Sequence, residues 1–178
     1  MIDEDRKMTN SKNNIILIGM PGSGKSTNGV ILAKNMGMDF IDSDILIQHV
    51  KGMRLEELLN IHGPEGFNVI EEEVNAAIDV ENTVIATGGS VVYGEKAMEN
   101  LKAQGTVVYL DITCKELEER LGDLRERGVS IKDGWTLQDL YDERKPLYEK
   151  YADITVNVSG LTVGESMELI KSHFVSGE

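Results

Sequence analysis

The sequence contains little of what extracellular, membrane-bound and nucleic-acid-binding proteins depend on. Cys114 is the only cysteine among 178 residues, so no intramolecular disulfide can form, which is compatible with a reducing cytosol. No apolar run reaches the roughly 20 residues that a membrane-spanning helix requires. Basic residues are also few, since 18 Lys and Arg against 31 Asp and Glu leave a formal net charge of −13. Because non-specific binding to nucleic acids or anionic membranes needs a basic surface, we expect neither partner. We expect a monomeric, cytoplasmic protein.

The length and an apolar fraction of 40% predict one domain with a sizeable core. Residues 1–13 are polar and of mixed charge, and they lack the apolar segment of a signal peptide. We expect them to form a flexible N-terminal tail, followed by a single domain over residues 14–178.

Short apolar runs alternate with helical patterns along the chain. The runs predict strands at residues 14–18, 40–41, 83–86, 107–110 and 154–158. Helical patterns cover residues 25–36, 45–50, 55–61, 67–78, 97–103, 116–121, 137–151 and 163–174. Pro146 should break or kink the helix that contains it. Strands separated by helices favour a doubly wound α/β fold with a parallel sheet, whose ligands bind beyond the carboxyl ends of the strands.

The segment from Gly19 to Ser26 matches the pattern G-x-x-x-x-G-K-[ST] in full, between a predicted strand and a predicted helix. Glycines allow its backbone N–H groups to converge on phosphate oxygens, and the N-terminus of the next helix favours anions. We expect Lys25 to reach the β- and γ-phosphates of ATP and Ser26 to ligate Mg²⁺. The predicted ATP-binding residues of this phosphate loop are Pro21, Gly22, Ser23, Gly24, Lys25, Ser26 and Thr27.

The phosphate-loop motif is shared by kinases, GTPases, ATPase motors and regulatory nucleotide binders. A glycine-rich turn without function is a further alternative. The sequence has no N-K-x-D segment for guanine recognition, which disfavours a GTPase, and the chain is short for a motor.

Two carboxylates and two glycines follow neighbouring predicted strands. Asp42 and Asp44 come just after the second strand, and Gly88 and Gly89 just after the third. One carboxylate could hold Mg²⁺ through water while the other orients and deprotonates an acceptor hydroxyl. The glycines would allow a ligand to approach the backbone closely. The alternatives are that an aspartate only caps the following helix and that the glycines form a plain turn.

Arginines surround a polar, glycine-rich stretch at residues 122–135, with Arg120, Arg125 and Arg127 near its start and Arg144 beyond it. In so acidic a protein, this stretch is a candidate lid that would bring a guanidinium to the transferring phosphoryl group. The alternative is a solvated charged surface in which the arginines pair with neighbouring acidic residues.

These motifs together resemble the shikimate kinases, and the resemblance extends from about residue 14 to residue 174. The phosphate loop continues as G-S-G-K-S-T-x-G at Gly22–Gly29, residues 40–44 resemble the D-x-D segment, and Thr87–Ser90 resembles a substrate-lining triple glycine. The resemblance implies a three-layer α/β/α sandwich with a five-stranded parallel sheet, built as a P-loop kinase with a lid segment.

The resemblance also implies roles for individual residues at the transfer site. Asp44 falls on the family's proposed base, which binds the acceptor hydroxyls, so Lys25, Asp44 and Arg127 are the predicted catalytic residues. Arg127 matches the lid arginine that contacts the transferring phosphate. We assign Mg²⁺ to Ser26 and Asp42.

Other matching positions imply contacts with adenine and with the acceptor. Arg120 matches an arginine that stacks on adenine, and Arg144, in R-x-P-L-Y, matches one that holds the substrate carboxylate. Glu71 matches a glutamate that supports a substrate-binding arginine. The predicted substrate-binding residues are Asp44, Asn68, Gly88, Gly89, Ser90 and Arg144.

The acceptor half departs from the family pattern at two positions. The family segment G-E-x-x-F-R ends in an arginine that clamps the carboxylate of shikimate, but Asn68 stands there, and Ser90 replaces the third glycine. A neutral amide cannot grip a carboxylate through two charged hydrogen bonds. We expect ATP- and Mg²⁺-dependent phosphorylation of a small polar metabolite, with shikimate converted to shikimate 3-phosphate. The first alternative is a sibling kinase, meaning a related kinase that acts on a different small hydroxylated metabolite such as an amino alcohol, a hydroxy acid or a sugar acid. The second is a non-catalytic nucleotide-binding regulator.

Overall fold

A computed structural model of the protein describes residues 12–122 and 129–175. Its strands are β1 (Asn14–Ile18), β2 (Asp39–Asp42), β3 (Thr83–Ala86), β4 (Gly105–Asp111) and β5 (Ile154–Asn157). Its α-helices are α1 (Lys25–Met36), α2 (Ser43–Lys51), α3 (Leu55–Ala76), α4 (Glu95–Gln104), α5 (Cys114–Leu121), α6 (Leu137–Tyr151) and α7 (Val163–Lys171). A 3₁₀ turn at Val91–Tyr93, which the sequence did not indicate, follows the glycine pair.

The strands form a five-stranded sheet in the order β2-β3-β1-β4-β5, and all four pairings are parallel. In the centre of the sheet, Ile16 of β1 lies between Ile85 and Val107. All five residues of β1 and all four of β3 are buried, as expected for a sheet covered by helices on both faces. The predicted α/β class with a five-stranded parallel sheet is confirmed.

The order of the strands brings the important loops together. Because these strands are parallel, the loops after β1, β2 and β3 lie at one edge of the sheet, at the carboxyl ends of the strands. The phosphate loop, the start of α2 and the glycine pair occupy these three loops. A second apolar cluster, formed by Ile47, Leu58, Phe67 and Val74, packs α2 against α3 beside this edge.

The helix bounds depend on local stop signals. Gly37 ends α1 in a left-handed conformation, with φ of 66°, where the sequence predicted the helix to end. The two helical patterns predicted at 55–61 and 67–78 form α3, whose halves meet at a kink at Gly63, before Pro64. Helix α6 runs from Leu137 to Tyr151, as the helical pattern predicted, so Pro146 does not break it.

The ends of the predicted domain are described only in part. The backbone carbonyl of Lys12 accepts a hydrogen bond from the Asn82 amide at 2.8 Å, and its side chain pairs with Asp79. The rest of the predicted tail, residues 1–11, lies outside the described residues, as do residues 123–128 of the candidate lid. No helix within the described ranges combines the length and the apolar character that crossing a membrane requires.

Candidate active site

The phosphate loop leaves β1 at Ile18 and enters α1 at Lys25. Gly22 and Gly24 adopt left-handed conformations, with φ of 81° and 92°, which residues with a Cβ rarely adopt. The Ser23 amide donates to the Met20 carbonyl at 3.1 Å and closes the turn. This backbone is the type that turns consecutive N–H groups toward a bound anion, at the N-terminus of a helix.

Lys25 is buried inside the loop. Its ammonium donates to the carbonyls of Gly19 and Met20, both at 2.8 Å. Burial lowers the pKa of Lys25 to about 8, and the nearby carboxylate of Asp44 partly offsets this effect. The side chain therefore stays mostly protonated at neutral pH, and a phosphate could replace the two carbonyls as its partner.

Asp42 holds both the phosphate loop and α2. Its Oδ1 accepts from the backbone amides of Asp44 and Ile45, at 3.0 and 3.3 Å, so Asp42 is the N-cap of α2. Its Oδ2 accepts from the hydroxyl of Ser26 at 2.5 Å. Capping, which the sequence left open as an alternative for this aspartate, therefore occurs, and the two residues predicted to bind Mg²⁺, Ser26 and Asp42, are hydrogen-bonded to each other. Within the described residues, no group of three or more His, Cys, Asp or Glu is placed to hold a metal ion.

A cavity of about 320 Å³ lies against the phosphate loop and joins most of the predicted site residues. Those in its walls are Pro21, Gly22, Gly24, Lys25, Ser26, Thr27, Asp44, Gly88, Gly89, Ser90 and Arg144.

The carboxylate of Asp44 enters the cavity from the first turn of α2. Burial, together with the charge of Asp42, raises the pKa of Asp44 to about 6. A carboxylate with a raised pKa is a stronger base than an ordinary aspartate.

The adjacent glycines face different halves of the cavity. A Cβ on Gly88 would lie closer than 3.0 Å to carboxylate oxygens of Glu71 and Asp44. A Cβ on Gly89 would lie 2.6 Å from Pro21 Cδ in the phosphate loop and 3.1 Å from Arg144 Nη1. A larger residue at either position would therefore crowd groups of the site. A plain turn, the alternative reading of this glycine pair, would not impose this restriction.

Arg144 is fully buried and lines the same cavity. Its Nη2 donates to the Ser130 carbonyl at 2.7 Å, and its Nε donates to the Tyr93 hydroxyl at 3.3 Å. The Tyr148 hydroxyl donates to the Gly89 carbonyl, which ties α6 to the glycine pair. The guanidinium is thus held in one position by the surrounding protein.

Four predicted site residues within the described ranges do not line this cavity: Ser23, Asp42, Asn68 and Arg120. Arg120 and Ser23 border a separate cavity of about 290 Å³ on the other side of the loop, where Arg120 Nη1 donates to the Gly22 carbonyl at 3.2 Å. Asn68 lines a third cavity of about 240 Å³, which shares Ser130 and Arg144 with the first. Arg127 lies outside the described residues, so its predicted contact with phosphate stays a prediction.

Glu71 also lines the cavity, although the family resemblance implied only a supporting role for it. It is 1% exposed, its Oε2 accepts from the Ser90 hydroxyl, and burial raises its pKa to about 7. A signal was present, because Glu71 shares the buried face of α3 with Phe67 and Val74 at helical spacing. An acidic residue on an apolar face needs a partner or a function.

This fold and this site define a P-loop kinase of small molecules. The family model for shikimate kinase matches residues 21–174, and the chain belongs to the shikimate kinase family. A shikimate kinase from Francisella tularensis subsp. novicida is 37% identical over 166 residues, covering 91% of this chain and 94% of the relative. One from Francisella philomiragia subsp. philomiragia has the same identity and coverage. The predicted family is thus confirmed.

Solved structures of shikimate kinases also match this chain. Shikimate kinase from Acinetobacter baumannii in complex with shikimate matches with a TM-score of 0.74 and 28% identity, over 91% of this chain and 90% of that one. Shikimate kinase from Aquifex aeolicus matches with a TM-score of 0.73 and 31% identity, over 90% and 95%. A gluconokinase from Sinorhizobium meliloti, with a TM-score of 0.51 and 18% identity over 90% of each chain, shares the fold.

Proposed function

We propose that this protein transfers the γ-phosphoryl group of ATP to the 3-hydroxyl of shikimate. The observation that carries the proposal is one cavity that joins Lys25 of the phosphate loop, the carboxylate of Asp44 and the buried guanidinium of Arg144. These groups would supply a phosphate contact, a base and a contact for the carboxylate of shikimate within one cavity. Membership of the shikimate kinase family supports this choice of acceptor.

The nucleotide would bind along the loop, with its phosphates on the backbone amides at the start of α1. Lys25 would exchange the carbonyls of Gly19 and Met20 for the β- and γ-phosphates. Arg120, whose Nη1 donates to the Gly22 carbonyl, borders the neighbouring cavity, and there it would stack on adenine.

The hydroxyl of Ser26 and the carboxylate of Asp42 fit Mg²⁺, because this ion prefers oxygen ligands and keeps several of its waters. The ion would supply neutralisation of charge on the phosphates. Asp42 would hold it through a water, while its other oxygen continues to cap α2.

Asp44 would accept the proton of the acceptor hydroxyl as the new O–P bond forms and the bond to the leaving ADP breaks. Gly88 and Gly89 leave room for the acceptor beside this carboxylate, and Arg144 would bind the carboxylate of shikimate. We also assign to Arg127 a contact with the transferring phosphoryl group.

A sibling kinase for another small hydroxylated metabolite is the second candidate. It is favoured by Asn68, which places a neutral amide rather than a charged group in the cavity beside Arg144. A non-catalytic regulator is less consistent with the site, because Lys25, Ser26 and Asp44 all border one cavity.

An acceptor panel tests the proposal. ADP release would be measured with shikimate and with a set of hydroxy acids, amino alcohols and sugar acids, and the Lys25→Met variant would report any contaminating kinase. We expect shikimate to give the highest kcat/KM, and phosphorus NMR to show a 3-phosphate ester. Turnover of another acceptor without turnover of shikimate would replace the proposal with the sibling kinase.

We further propose that residues 14–178 act as one domain, as a monomer in the cytoplasm. The sheet, whose strands come from residues 14 to 157, supports a single folding unit. Analytical ultracentrifugation with and without ATP tests the monomeric state, since a dimer would give twice the molar mass of the monomer.

A further inference from the structure

Glu71 is a buried carboxylate with one unused oxygen. Its Oε2 accepts from Ser90, but its Oε1 is buried and has no hydrogen-bond partner within the described residues. Leaving a buried polar atom unpaired is costly, and more so for a charged group. A donor on a bound ligand would remove this cost.

The unused oxygen faces the site of phosphoryl transfer. Glu71 borders the same cavity as Lys25 and Asp44. A Cβ built on Gly88 would come closer than 3.0 Å to both Glu71 Oε1 and Asp44 Oδ1, so the two carboxylate oxygens converge above this glycine. A ligand that approaches Gly88 therefore meets both carboxylates at once.

The neighbouring side chain on α3 does not use this oxygen either. Asn68 lies one helical turn before Glu71, on the same side of the helix, and its own Oδ1 is also buried and unpaired within the described residues. In the cavity of the transfer site, Glu71 Oε1 is therefore an acceptor that a ligand must satisfy with a donor. Lys25 and Arg144 place two cations near Glu71, beside the carboxylate of Asp44, so the cationic partners are already supplied and a neutral hydroxyl is favoured over an additional ammonium group.

We propose that Glu71, held by Ser90, is a specificity-determining residue that accepts a hydrogen bond from a second hydroxyl of the acceptor, adjacent to the hydroxyl that Asp44 deprotonates. The site thereby selects vicinal diols. This inference rests on the proposed function, and shikimate carries such a neighbouring hydroxyl at its 4-position.

The test compares shikimate with 4-deoxyshikimate, which keeps the reacting hydroxyl and the carboxylate. We expect the unmodified protein to favour shikimate by roughly 10²-fold in kcat/KM, because a site built to bind a hydroxyl rejects an analogue without it. In Glu71→Gln the preference should fall by about tenfold through slower reaction of shikimate, with 4-deoxyshikimate nearly unaffected. A purely structural role of Glu71 would slow both acceptors equally.

Two further variants complete the design. Ser90→Ala removes the hydroxyl that holds Glu71 and should reduce the preference in the same direction by a smaller factor. Glu73→Gln is the matched control, because Glu73 is exposed on the same helix and pairs with Lys51. Circular dichroism would establish that each variant folds. If Glu71→Gln does not fold, the acceptor preference of Ser90→Ala still tests the role of Glu71.

The outcomes separate this inference from the proposed function. Equal turnover of both acceptors by the unmodified protein, or an unchanged preference in Glu71→Gln and Ser90→Ala, overturns the role of Glu71 alone. If neither shikimate nor its deoxy analogue is phosphorylated, the proposed function fails and this inference falls with it.

Discussion

The two halves of the site are built in different ways. The phosphate half comes from one stretch of chain, residues 19–27, whose backbone shape and buried lysine follow from the local sequence. The acceptor half draws Asp44 from α2, Glu71 from α3 and Arg144 from α6, with the glycine pair between them. The first half depends on loop geometry and the second on tertiary packing, so we expect variants in the two halves to fail differently.

The largest effect is expected at Lys25. The Lys25→Met variant removes the cation that would neutralise charge on the transferring phosphoryl group, and kcat/KM should fall by about 10³-fold or more. Coupled measurement of ADP release checks this. Lys34→Met is the control, because Lys34 is exposed on the same helix, and it should keep full activity. A decrease of less than tenfold in the kcat/KM of Lys25→Met would show that Lys25 does not contribute to phosphoryl transfer.

The next effect is expected at Asp44, on the acceptor side. The Asp44→Asn variant keeps the shape of the side chain but cannot accept a proton, so kcat should fall by about 10²-fold or more while the KM for ATP stays nearly the same. Asp39→Asn, at the exposed start of β2, is the matched control. If phosphate transfer in Asp44→Asn proceeds at the normal rate, Asp44 is not the base.

A smaller effect concerns stability and its pH dependence. Burial raises the pKa of Glu71 from 4.5 to about 7, the nearby carboxylate of Asp44 adds to this, and the Ser90 hydroxyl, Arg144 and Lys25 oppose it. The folded protein holds this proton more tightly than the unfolded chain, so the group's contribution to stability is complete below pH 4.5 and is lost as the pH rises through about 7.

The Glu71→Gln variant cannot ionise and should therefore be more stable than the unmodified protein at about pH 8, by on the order of 2 kcal/mol. The gain should shrink as the pH falls toward 4.5. Urea denaturation at both pH values measures the free energy of unfolding. Glu73→Gln should show no such trend, and equal stability of Glu71→Gln and the unmodified protein at both pH values would contradict the assigned pKa.

The smallest effect gives the sharpest comparison of the two halves. Gly88→Ala would press on the carboxylates of Asp44 and Glu71, whereas Gly89→Ala would press most strongly on Pro21 and less on Arg144. We expect Gly88→Ala to raise mainly the KM for the acceptor and Gly89→Ala to raise mainly the KM for ATP, each by about tenfold, the lower end of the cost of overpacking. If both variants raise the same KM, the glycines do not divide the site.

Much of the fold could be predicted, because buried parallel strands appear in the sequence as short apolar runs and glycines mark the helix ends. The bounds of β1, β3 and α1 coincide with the prediction. The break at Pro146 could not be judged locally, since α6 is held by packing of buried residues such as Leu140 and Tyr148.

The candidate site was predictable to the extent that its residues lie next to strand ends or within a motif. Lys25, Asp44 and the glycine pair meet these conditions. The place of Glu71 in the cavity and of Asn68 in the neighbouring one depends on how α3 lies against the sheet, with its kink at Gly63. That arrangement is a property of tertiary packing, which no local pattern contains.

The glycine pair also determines where this scaffold can evolve. A side chain at Gly88 meets Glu71 and Asp44, and one at Gly89 meets Pro21 and Arg144, so larger residues at either position require their neighbours to move. Diversification toward new alcohols is thereby directed to Glu71 and Ser90 in this cavity and to Asn68 in the neighbouring one. A mutant library confined to these three positions would test new acceptors while leaving the phosphate loop unchanged.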